Sequence, residues 1–122
     1  MKNTSVDNSA TLYELNKNDF VVEWYGPDTD GNWYRVYKSG WVEQGGNQTL
    51  NTSSPLGITI NLLKEYKDDS YTVLGNGYGA NGADGFISFQ QLTTTSFLWR
   101  CCDFNGNAYN RPGKWVAMGQ GA

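Results

Sequence analysis

The sequence predicts an all-β fold: one domain, an antiparallel β-sandwich of about seven to eight short strands. Three observations carry that prediction. Trp33-Tyr34-Arg35-Val36-Tyr37-Lys38 and Trp41-Val42-Glu43-Gln44 are aromatic, β-type segments that meet at Ser39-Gly40 and close on Gly45-Gly46, the pattern of a hairpin. Gly57-Ile58-Thr59-Ile60-Asn61-Leu62 alternates apolar and polar, which puts Ile58, Ile60 and Leu62 on one face of a strand. Finally, 15% aromatic residues and 15 glycines against 17% charged residues suit a strand-and-turn protein better than a helical bundle.

At 122 residues the chain can bury roughly two thirds of its unfolded surface around a single core. Residues 1–19 are rich in Asn, Ser, Thr and Asp and read as a polar arm or linker; the head domain is expected over 20–122. Within it, Phe20 to Tyr25 is a first strand, stopped by the turn cluster from Gly26 to Asn32. The hairpin strands follow at about 33–38 and 41–44, then the alternating strand over 57–62. Leu63 to Asp69 is a charged connection with the composition of a short helical turn, leading to a strand over 70–74. Gly75 to Gly85 is Gly, Asn and Ala rich and is expected to form a long exposed loop. Two strands, 86–92 and 95–102, lie around Thr93-Thr94; a polar loop over 103–113 precedes the closing strand, 114–119.

Composition excludes several function classes. A net charge of −3 with nine scattered Lys and Arg offers no footprint for a phosphate backbone, so nucleic acid is not an expected partner. No segment approaches the ~20 apolar residues of a membrane span, and the residues after Met1-Lys2-Asn3-Thr4-Ser5 are polar, so neither membrane insertion nor a cleaved signal is expected. Cys101 and Cys102 are adjacent; on a strand they point to opposite faces and are read as free thiols. With no histidine in the chain, His-based nucleophilic catalysis is excluded and a zinc shell cannot be completed.

Asp28-Thr29-Asp30-Gly31-Asn32 starts like a calcium loop, but Trp33 stands where the loop needs its glycine and Ser39 where it needs its glutamate. An Asx-rich turn is the better reading. Asn47-Gln48-Thr49 and Asn51-Thr52-Ser53 match glycosylation acceptors, read here as products of an Asn/Thr-rich composition. No catalytic residue, metal or cofactor is expected. Glu23, Glu43, Asp84 and Asp103 are read as solvated charges, with a glycosidase pair as the alternative. Five tryptophans and eight tyrosines remain, to be divided between core, subunit interface and a binding surface.

The run Trp33 to Gly46 resembles the opening of the distal, C-terminal domain of bacteriophage tail fibres. In that family it is followed by an Ile-Thr-Ile type strand, a Tyr-Thr-Val strand and a final tryptophan-alanine-glycine strand. Here those pieces are Ile58-Thr59-Ile60, Tyr71-Thr72-Val73 and Trp115-Val116-Ala117-Met118-Gly119. The resemblance implies a β-sandwich head, a homotrimer at the fibre tip, that recognises a bacterial surface glycan or protein receptor during host adsorption. The implied site is the virion, after folding in the host bacterial cytoplasm. The long shaft of such fibres has no counterpart ahead of residue 33, so the chain reads as an excised domain, a short fibre-like protein, or a head attached through another chain. On this reading the two polar loops are the candidate tip, with Tyr78, Asn81, Asp84, Tyr109 and Arg111 as ligand-binding residues. The alternatives are a small polysaccharide-degrading virion domain and a purely structural interaction module.

Overall fold

The computed structural model describes residues 19–77 and 86–122. They form eight strands: β1 (Val21–Tyr25), β2 (Trp33–Tyr37), β3 (Trp41–Gln48), β4 (Ile58–Asn61), β5 (Thr72–Gly77), β6 (Phe86–Gln90), β7 (Ser96–Cys102) and β8 (Gly113–Gln120). A five-stranded sheet runs β1-β2-β3-β8-β5 and a three-stranded sheet β4-β7-β6, with every pairing antiparallel. Among the described residues there is no helix, and so none long and apolar enough to cross a membrane.

The sandwich is closed by one face of each sheet. On β7 the inward residues Phe97, Trp99 and Cys101 are buried while their neighbours are half-exposed; on β8 the same alternation buries Trp115, Ala117 and Gly119. Rings from both sheets meet edge to face: Phe89 on Phe97 at 5.5 Å, Phe89 on Trp99 at 5.4 Å, and Phe97 on Trp115 at 5.3 Å. Val42, Tyr66 and Tyr71 complete the core, and Ile58, Ile60 and Leu62 line it as their alternation predicts. Tyr71 keeps its hydroxyl satisfied in that setting by donating to Thr93 O and Ser96 O.

The turns follow residue chemistry. Gly40 takes φ +89° and its N–H donates to Tyr37 O, closing the β2–β3 hairpin where expected, while Asp19 accepts from the N–H and hydroxyl of Ser39. In the turn after β1, Asp28 Oδ1 accepts the N–H groups of Asp30 and Asn32, the Asx arrangement its composition suggests.

Three expectations are corrected. Gly45-Gly46 does not end β3, which continues to Gln48 and pairs along its whole length with β8. The glycines are there because rings cross them: a Cβ on Gly45 would sit 2.8 Å from Trp33 Nε1, and one on Gly46 would collide with Asn32 Oδ1. Likewise Gly75, Asn76 and Gly77 belong to β5, opposite Trp115, Lys114 and Gly113, because Phe89 and Ile87 lie against the bare glycine backbone. Residues 63–69 contain no helical turn. Their backbone is tied instead to the buried Gln44 side chain, whose Oε1 accepts from Leu63 N and Lys64 N and whose Nε2 donates to Lys64 O.

Candidate functional site

Of the expected ligand-binding residues, Tyr78, Asn81 and Asp84 lie outside the described residues. Tyr109 and Arg111 are brought together. The segment after β7 folds back on itself: Asp103 Oδ1 accepts from Asn105 N and Asn107 N, Gly106 takes φ +82°, and Tyr109 N donates to Cys101 O. The Arg111 guanidinium then stacks over the Tyr109 ring at 4.8 Å. Tyr109 is half-exposed, whereas Arg111 is only 5% exposed, and its Nη2 has no hydrogen-bond partner among the described residues.

This pair is fixed from behind by Thr52. Its Oγ1 donates to Tyr109 O at 2.5 Å and accepts from Arg111 N at 2.6 Å, while its own N–H donates to Asn110 Oδ1. Thr52 is fully buried, and the sequence offers it no role at the site. Its signal was the Asn51-Thr52-Ser53 cluster, whose side chains favour local backbone capping more than modification. Burial pushes the neighbouring Cys101 thiol up, against the pull of the Arg111 charge.

The aromatic surplus divides by sheet face. Trp99 and Trp115 are core; Trp33 is half-buried; Trp24 is 68% exposed and Trp41 is also exposed. Register and alternation put Trp24, Trp33, Trp41, Met118, Val116 and Leu74 on the outward face of the five-stranded sheet, opposite Gln44, Val42 and Ala117. Polar groups on this face are tied to the rings: Arg35 lies 5.2 Å from the Trp33 ring, and Glu43 accepts from Tyr37 Oη and Trp41 Nε1. At the β1 edge of the inward face, Lys64 bonds Glu23 at 3.1 Å and sits over the Tyr34 ring. The Tyr34 hydroxyl and then Lys64 hold the Glu23 carboxyl below its ordinary value. Among the described residues no cluster of His, Cys, Asp or Glu could hold a metal ion.

Among solved structures, the chain is similar to an N-truncated R2-type pyocin tail fibre, with TM-score 0.60 over 98% of this chain at 18% identity. It is equally similar to a C-terminal fragment of the P. aeruginosa R2 pyocin fibre, TM-score 0.60 over 98% of this chain at 17% identity. The chain has a tail-fibre fold. It spans 44% and 30% of those two chains, less than half of either. No family model matches the sequence, and no curated protein matches it either. The tail-fibre fold agrees with the resemblance carried by Trp33 to Gly46: the aromatic run builds the β2–β3 hairpin, and its double glycine makes room for Trp33 at Gly45 and for Asn32 and Trp115 at Gly46.

Proposed function

We propose that this chain is the distal head of a phage-type tail fibre, recognising a bacterial surface receptor, a glycan, without making or breaking covalent bonds. The observation that carries the reading is the tail-fibre fold over 98% of the chain. Support also comes from the histidine-free sequence, which leaves no His-based nucleophilic catalysis open to the chain. On this reading the head is displayed on the virion after folding in the host bacterial cytoplasm, and residues 1–19 are the arm joining it to the rest of the fibre.

The head works as a homotrimer. Its outward five-stranded face exposes Trp24, Trp41 and Leu74, with Val116 and Met118 half-buried, interspersed with Arg35, Glu43 and Lys114, and rings set among polar groups suit contact with another copy. A second and third copy cover it, which leaves the opposite sheet and the loop ends free. Tyr109, held by Arg111 and Thr52, contacts the receptor together with Tyr78, Asn81 and Asp84.

Binding of the labelled chain to a panel of intact bacterial strains tests this. Saturable attachment restricted to some strains, with no sugar released, is expected; Tyr78→Ala and Tyr109→Ala should weaken it several-fold. Release of reducing sugar from the bound cells would instead make the chain an enzyme, and attachment to none of the strains would leave a structural module.

A further inference from the structure

The three-stranded sheet turns its second face to solvent, and a groove of about 710 Å³ crosses it. Thr59, Leu98 and Gln90 stand in one row on three neighbouring strands, because Leu98 pairs with Thr59 on one side and Gln90 on the other. They alternate with the buried Phe97 and Trp99, so they face outward. Arg100 is the next outward residue of β7, and the turn carrying Leu56, 80% exposed, forms one wall.

Three features of this groove point to a ligand. First, Arg100 is its only charged lining residue among the described residues. The guanidinium is held by two neutral acceptors, with Nε donating to Pro55 O at 3.0 Å and Nη2 to Gly106 O at 3.1 Å; among the described residues no carboxylate pairs with it. A cation oriented by carbonyls keeps its charge available to an anion. Second, the hydroxyl of Thr59 and the amides of Gln90 and Gln91 flank an apolar strip made by Leu98 and Leu56. A sugar presents the same alternation of hydroxyl edge and apolar ring face. Third, Gln91 has φ +48°, a left-handed conformation that is strained for a non-glycine residue. A tight turn follows it, in which Thr93 N donates to Ser96 O and Thr93 Oγ1 accepts from Ser96 N. Glycine would fit there without strain, yet a side chain with an amide stands at the rim of the groove.

We infer that this groove is a saccharide subsite for a carboxylate-bearing sugar. The carboxylate meets Arg100, the ring lies on Leu98, and hydroxyls meet Thr59, Gln90 and Gln91. The inference rests on the adhesive reading and names its ligand class and its face.

The test is binding of the full chain to a panel of bacterial polysaccharides containing uronic or nonulosonic acids, each beside its carboxyl-reduced counterpart, with whole-cell attachment measured in parallel. Binding to acidic members is expected to be at least about tenfold tighter than to the reduced ones, roughly one lost charged contact. Thr59→Glu, at an exposed strand position, should lose about as much by repelling the carboxylate. Gln91→Gly should also bind more weakly while unfolding no more easily than the parent, a split that a purely structural role for Gln91 would not produce. Equal binding of acidic and reduced polymers, or parental binding by both variants, overturns the groove assignment. Attachment to cells with no polysaccharide bound overturns the groove and leaves the adhesive reading standing; attachment to neither removes both.

Discussion

Gln44 shows how one side chain can do structural work that no pattern announces. It sits on the inward face of β3 between Val42 and Gly46, where an apolar residue is expected, and satisfies three backbone groups of residues 63–64. Each buried group left unpartnered costs about 1–3 kcal/mol. Gln44→Leu is therefore expected to destabilise the fold by about 3 kcal/mol or more, read by urea unfolding, even though it raises core hydrophobicity. The position was legible as strand but its facing was not, because alternation infers inwardness from apolarity and Gln44 inverts that sign. Tyr66 and Tyr71 give a second residue-scale prediction. Burial pushes both phenols from 10.0 up to about 12, so the folded state holds these protons more tightly than the unfolded chain does. Their contribution is whole below pH 10 and is lost as pH rises towards 12. Alkaline titration should show Tyr66 and Tyr71 ionising late and together with unfolding, beyond the smaller upward shifts of Tyr25, Tyr34 and Tyr37; ionisation of all tyrosines at their ordinary value with the fold intact would contradict it.

At the scale of elements, the strands built from alternating or aromatic residues were readable and those containing glycine were cut short. Gly45-Gly46 and Gly75 to Gly77 looked like strand ends because glycine weakens a strand in isolation; here each bare backbone is covered by a ring or side chain from elsewhere in the chain. That cover is a tertiary fact, invisible to local pattern. Gly75→Val should force its side chain into Phe89 Cζ, 2.8 Å from the would-be Cβ, and speed amide exchange at Asn76 and in the facing residues of β8. The Asx turn at Asp28 was signalled by composition, whereas Asp103, read as a solvated charge, caps a similar turn in the structure. Backbone N–H groups, from Asn32 and Asn107 respectively, hold both carboxyls below their ordinary 3.8. These turns are therefore fully supported above that value and weaken as pH falls through the lower folded values, which acid-range exchange at Asn32 and Asn107 can follow.

At the scale of the whole molecule, two opposite faces have different physical destinies. The five-stranded face carries Trp24, Trp41 and Leu74 into solvent among charged neighbours, while the three-stranded face carries a groove with one cation, an apolar strip at Leu98 and Leu56, and exposed Phe86. The sequence made the sandwich legible and suggested a surplus of rings; it could not apportion those rings between faces, because a strand's register within a sheet is set by its partners. Tyr78, Asn81 and Asp84 stay as the sequence proposed them, outside the described residues, whereas the groove residues Gln90, Gln91 and Arg100 carried no motif at all. A shallow groove with one charge binds weakly by itself, and becomes adhesive when several copies engage one surface. On the proposed reading, adhesion turns on assembly. Sedimentation equilibrium of the intact chain at micromolar concentration should give three times the 13.6 kDa protomer mass, with Trp24→Glu reduced to one protomer and still folded. A parent chain that sediments as a monomer would contradict the account.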